Sequence, residues 1–114
     1  RSRHMLWDLV RMLNSRGTTI FLTTHYIEEA EELCDRVAIM NKGKLIAVDT
    51  PKNFISRLGR FVVEWRDDTK RDFRLFDTRE DASRFIGTLS AAASIRGTNL
   101  EDVFIELTGR KEGL

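Results

Sequence analysis

The 114 residues contain one cysteine, one proline and no excess of charge, with 19 Lys and Arg against 18 Asp and Glu. A single cysteine cannot close an internal disulfide, which is compatible with a reducing compartment. A formal net charge of +1 argues against a dedicated nucleic-acid binder, which carries a basic excess, and against avid binding to an anionic membrane surface. No apolar run approaches the roughly 20 residues that a bilayer-spanning helix needs. Nor does a signal-peptide core follow Arg1 and Arg3. Hydrophobic residues at 41% and charged residues at 32% fit a folded chain rather than a disordered one. The length suffices for one domain, or for a piece of one plus a small second unit.

The stretch from 18 to 51 organises the rest. Thr18, Thr19, Ile20, Phe21 and Leu22 form a short β-branched and apolar run that predicts a strand buried on both faces, as in a parallel sheet. His25 would then stand just beyond a strand's carboxyl end, where α/β sheets place their ligands. Residues 26–33 change to helical period, with Ile27, Ala30, Leu33 and Cys34 on one face and Glu28, Glu29, Glu31 and Glu32 on the other. Four carboxylates in two turns invite a metal reading. No second His or Cys is placed to complete a shell, so a solvated face is expected and no metal site is assigned. Cys34 continues the apolar face and is expected as a packed thiol. Two strands follow, 37–40 and 45–48, joined through Asn41, Lys42, Gly43 and Lys44, where Gly43 supplies a positive φ. Asp35 and Arg36, at the start of the first of them, are expected as a local ion pair.

Thr23, Thr24 and His25, followed by Glu28, Glu29, Ala30, Glu31 and then Cys34, Asp35 and Arg36, closely resemble the switch-histidine region of ABC transporter ATPases. The resemblance covers residues 1 to about 51. It implies a catalytic and cofactor-binding role for His25, which would contact the γ-phosphate of ATP and help to place the attacking water. An imidazole suits that task, because it can donate a hydrogen bond to a phosphate oxygen and so register whether that oxygen is present.

The parts that such an ATPase needs besides the histidine are not in this sequence. There is no Gly-x-x-x-x-Gly-Lys-Ser/Thr phosphate loop, no apolar strand ending in acidic residues ahead of the first helix, and no Gly-rich signature segment. The expectation is therefore the carboxyl-terminal portion of a longer subunit, inert alone. ATP and Mg²⁺ belong to the full-length parent, and neither is expected to bind this piece tightly.

The first helix is expected over 2–15, with Leu6, Leu9, Val10 and Leu13 as a stripe that needs a sheet to cover and Gly17 ending it. With no flanking sheet in the sequence, association through swapping or edge pairing, or partial disorder before residue 51, is expected. Thr50 as N-cap and Pro51 at the first helical position open a connecting helix to about residue 58 or 59. Beyond it the pattern becomes a small ββαβα unit. Phe61, Val63 and Trp65 alternate with Val62, Glu64 and Arg66, and 73–76 makes a second strand. Thr78 with Asp81 reads as a capping box for a helix burying Ala82, Phe85, Ile86 and Leu89. Residues 91–96 make a third strand. Thr98 with Glu101 reads as a second capping box, for a helix burying Leu100, Val103, Phe104 and Leu107 and ending at Gly109.

The fold class expected is thus α/β, the carboxyl-terminal portion of a P-loop NTPase domain (1–50), a connecting helix (51–59) and a ββαβα accessory domain (60–114). The closing phrase, residues 99–109, is similar to the tail of ATPase subunits of drug- and antibiotic-export systems. The resemblance implies a second ATPase subunit as homodimer partner, a membrane permease subunit, no nucleic acid, no membrane span of its own, and a cytoplasmic place against the inner face of the membrane through the permease. The competing reading is a stand-alone ββαβα regulatory or protein-interaction module in which His25 is structural. RNA binding by the 61–76 sheet would want exposed aromatics in a basic surround, and Phe61, Trp65 and Phe73 are more economically core residues.

Overall fold

The computed structural model describes residues 2–24, 26–68 and 70–109. The elements in order are α1 (Ser2–Ser15), α2 (Ile27–Leu33), β1 (Val37–Asn41), β2 (Lys44–Asp49), α3 (Pro51–Leu58), β3 (Phe61–Asp67), β4 (Lys70–Phe76), α4 (Arg79–Ile86), β5 (Ala93–Gly97) and α5 (Leu100–Thr108). The chain is a mixed α/β protein with two sheets, one of β1 and β2 and one ordered β4-β3-β5, antiparallel throughout.

Helix α1 ends as a Schellman motif. Gly17 takes φ +96°, its N–H donates to the Asn14 carbonyl at 3.0 Å, and the Thr18 N–H donates to the Leu13 carbonyl at 3.2 Å. The β1–β2 hairpin turns on Lys42 and Gly43, with φ of +53° and +77°, so both central residues adopt the left-handed geometry that matches the twist of paired strands. Thr50 caps α3 by accepting from the Asn53 N–H at 3.0 Å, and Pro51 sits in the first turn, where a missing N–H costs nothing.

The main core joins the two halves of the chain. Ile39 of β1, Phe54 of α3, and Leu100 and Val103 of α5 are buried together, with Ile27 and Ala30 of α2 and Phe104 of α5 packed against them. Each such side chain contributes about 1.5–3 kcal/mol by leaving water. Both faces of β3, the central strand of the second sheet, are covered. Val63 lies on the side of α4, where Trp65 and Phe76 each stand 5.2 Å from the Phe85 ring. Val62 on the opposite face is equally buried.

Several expectations are corrected. Residues 18–24 form no strand, and Phe21 is 96% exposed. A strand is stabilised by ladder partners, and among the described residues none pairs with this segment. The apolar stripe of α1 covers no sheet, leaving Leu6 50% and Leu9 48% exposed, while Trp7 on the other side of the helix is buried. Thr78 does accept from the Asp81 N–H, but the Asp81 carboxylate pairs with Arg84 at 2.8 Å, so only half of that capping box is present. The capping box of α5 lies one residue further on, between Asn99 and Asp102. The hydroxyl of Thr98 is engaged instead in donating to the Gly59 carbonyl at 2.7 Å.

Candidate functional site

His25 lies outside the described residues. Its neighbours are described. The Thr24 hydroxyl oxygen accepts from the Tyr26 N–H at 2.9 Å, a side-chain turn bridging residues two apart. Tyr26 is the N-cap of α2, with extended backbone, and its carbonyl accepts from the Glu29 N–H at 3.0 Å. Helix α2 thus begins two residues after position 25.

Helix α2 is held from both sides, and the acidic face supplies the holding groups. The Trp7 indole Nε1 donates to Glu29 Oε2 at 3.0 Å, and Glu29 is only 7% exposed. The Leu100 N–H, at the start of α5, donates to Glu31 Oε1 at 3.0 Å. Glu32 lies 3.9 Å from the Arg11 guanidinium, a half-exposed contact of small weight. The expectation of a solvated face is thus correct for Glu28 and Glu32 and wrong for Glu29 and Glu31, because α2 is sandwiched between α1 and α5 and the water-facing sector is narrow. A buried indole needs an acceptor. That need was the signal available in the sequence, though it does not say which of four carboxylates answers it. Among the described residues no group of three His, Cys, Asp or Glu is placed to hold a metal ion.

An open cleft of about 860 Å³ runs between residues 21–24, α2, β1 and α5, with Phe21, Thr24, Ile27, Arg36, Met40 and Phe104 on its walls. Arg36 is the one cation among its described lining residues, and the walls are otherwise mostly apolar. Such a lining does not fit a triphosphate with Mg²⁺, which needs convergent backbone amides, a lysine and oxygen ligands for the metal.

Cys34 also borders the cleft. Its thiol is pushed up, first by burial and then by the negative charges of Asp35 and Glu29, so it stays protonated at neutral pH. The expected Asp35–Arg36 pair is not formed. The positive charge of Arg36 is instead felt at Asp49, whose carboxyl is held below the usual range by hydrogen bonds from the Asn53 side chain and the Thr50 N–H, with Arg57 and Arg36 adding to them.

A further cluster escaped the sequence reading. Arg96 of β5 reaches both oxygens of Asp102 at 2.8 Å, Glu64 of β3 at 3.1 Å and the Gly97 carbonyl at 3.0 Å. The two carboxylates raise the pKa of its guanidinium, Asp102 most strongly. Asp102 is at once the capping-box carboxylate of α5, accepting from the Asn99 N–H.

Over nearly its whole length the chain is similar to proteins named for export and ATP binding. The chain is 34% identical over 132 residues to the Nod factor export ATP-binding protein I of Burkholderia orbicola (strain AU 1054), an alignment covering 97% of the chain and 43% of that protein. The proteins of the same name from Mesorhizobium japonicum and Rhizobium etli are 34% and 35% identical, over 96% of the chain and 38% and 42% of their own lengths. The chain thus spans about two-fifths of the curated relatives it matches. No protein-family model matches it. Among the described residues no helix is long and apolar enough to cross a membrane.

Proposed function

We propose that the chain is the carboxyl-terminal part of the ATP-binding subunit of an ABC exporter, and that His25 is the residue that meets the terminal phosphate of ATP there. The observation that carries this reading is the match, over 96–97% of the chain, to proteins named for export and ATP binding. The ordered set of Thr24, His25, the acidic helix and the Gly43 hairpin supports the assignment of His25. In this reading residues 1–50 complete an ATPase domain, 51–59 connect, and 60–114 form an accessory unit.

The chemistry left to this chain is small and specific. A neutral imidazole donates one hydrogen bond to a phosphate oxygen and so distinguishes its presence from its absence. The phosphate loop and the acidic residues for Mg²⁺ come from the upstream half, so the chain alone hydrolyses nothing. The partners are a second ATPase subunit and a permease that carries the exported substrate and keeps the assembly at the inner face of the membrane.

The test joins the chain to an upstream half bearing a phosphate loop and measures Mg-ATP hydrolysis. His25→Ala should lower turnover on the order of 10²- to 10³-fold, the usual cost of one preorganised contact to the reacting group. Unchanged turnover would sink the assignment of His25. For the chain alone, saturable amide shifts around position 25 with phosphate release at millimolar Mg-ATP would mean that a complete site is present and overturn its inertness.

A further inference from the structure

We infer that Glu31 is a positioning residue for the His25 loop: its bond to the Leu100 amide ties α2, and the loop that enters it, to the carboxyl-terminal unit. The inference rests on the reading of His25 given above and adds to it a specific mechanical link.

The first N–H groups of a helix have no partner within it and favour an anionic acceptor. At the start of α5 the Asn99 side chain is committed to the Asp102 N–H at 3.0 Å, which leaves the Leu100 N–H to be met from elsewhere. Glu31 meets it at 3.0 Å across 69 residues of sequence. The apolar contacts act on the same two elements. Leu100 is 1% exposed, in the core against which Ile27 and Ala30 pack. Ile27 and Glu31 are four apart and share one face of α2. Polar and apolar links therefore hold that face to the first turn of α5.

Helix α2 has seven residues and Tyr26 is its N-cap, so a single residue separates position 25 from the helix. A shift of α5 transmitted through Glu31 moves the loop. From the same first turn of α5 the bonding continues, through Asp102 to Arg96 on β5 and through Arg96 to Glu64 on β3. The loop and the three-stranded sheet are thus linked by two sets of charge-assisted bonds, Glu31 to Leu100 and Asp102–Arg96–Glu64, which α2 and the first turn of α5 connect.

Contiguity alone does not establish coupling, so the test measures coupling. In the 114-residue chain, Glu31→Ala should speed exchange of the Leu100 amide on the order of tenfold. It should also move the imidazole resonances of His25 and the amides of Thr24 and Tyr26, and Glu31→Gln, which keeps a carbonyl acceptor, should restore most of both. Arg96→Lys keeps the charge but loses the two-pronged contact with Asp102. It should move the His25 resonances in the wild-type background and leave them still in the Glu31→Ala background. Faster Leu100 exchange with unmoved His25 resonances would reduce Glu31 to a helix cap and overturn the inference. Should Glu31→Ala fail to fold, unmoved His25 resonances in Arg96→Lys overturn it equally. Resonances that respond as expected, combined with unchanged hydrolysis in the joined His25→Ala protein, would leave the link standing and remove the catalytic reading alone.

Discussion

Trp7 and Glu29, 22 residues apart, meet through a hydrogen bond of 3.0 Å from the indole Nε1 to Oε2, and both are buried. This bond is the polar fastening of α1 to the rest of the chain, since the hydrophobic side chains of α1 otherwise point largely to solvent. Trp7→Phe keeps most of the buried ring and removes the donor. It should destabilise the chain by about 1.5–3 kcal/mol, the range for a hydrogen bond to a charged group. Urea unfolding should give a lower midpoint at an unchanged slope, and an unchanged midpoint would mean that the bond contributes nothing net.

Gly59 closes α3 at φ +134°, and a Cβ built there would stand 3.0 Å from the Leu75 Cβ and 3.0 Å from the Phe76 N. Gly59→Ala meets both a disfavoured backbone conformation and a close contact with β4. A loss of about 1–3 kcal/mol is expected from thermal or urea unfolding. Gly43→Ala, also at positive φ but with nothing within 4 Å, should cost less.

The Asp49 carboxyl is held down by Asn53 and Thr50, with Arg57 at 3.0 Å assisting. A carboxyl whose folded pKa lies below its unfolded value contributes stability that is present above the unfolded value of about 3.9 and lost as the pH falls through the folded one. Asp49→Asn should therefore lower stability at pH 7 and flatten the acid limb of the stability profile below about pH 4. An acid limb of unchanged slope would remove Asp49 from the account.

The outer face of α1 exposes Met5, Leu6, Leu9, Met12 and Leu13 together. Apolar clusters of this kind drive association in water. Sedimentation velocity should show concentration-dependent self-association of the chain, relieved in the double variant Leu6→Glu with Leu9→Glu. A monomer at all concentrations would count against an adhesive face.

Turn and cap chemistry was largely legible in the sequence, because it depends on residues a few positions apart. Gly17, Gly43, Thr50 with Pro51, and Gly109 each mark in the sequence the boundary that the structure shows. Of the caps that were misplaced, the second half of the Thr78 box lost its carboxylate to Arg84 three residues on, and Thr98 gave way to Asn99 because a distant group took its hydroxyl. Thr98 was drawn to the Gly59 carbonyl, 39 residues away. Of the candidate site, the pattern around His25 could be read from the sequence, while His25 itself lies outside the described residues.

Local pattern therefore placed the helices and the β1–β2 hairpin to within a few residues, and the 3.6-residue repeat of α2 separated its apolar from its acidic side. It did not determine what each side faces. That Glu29 is buried against Trp7, that Glu31 holds the first amide of α5, and that residues 18–22 are no strand were decided by tertiary structure. A carboxylate's value depends on which donor is brought within 3 Å of it, and a strand exists only with a neighbour to bond. Neither partner is written in the local sequence.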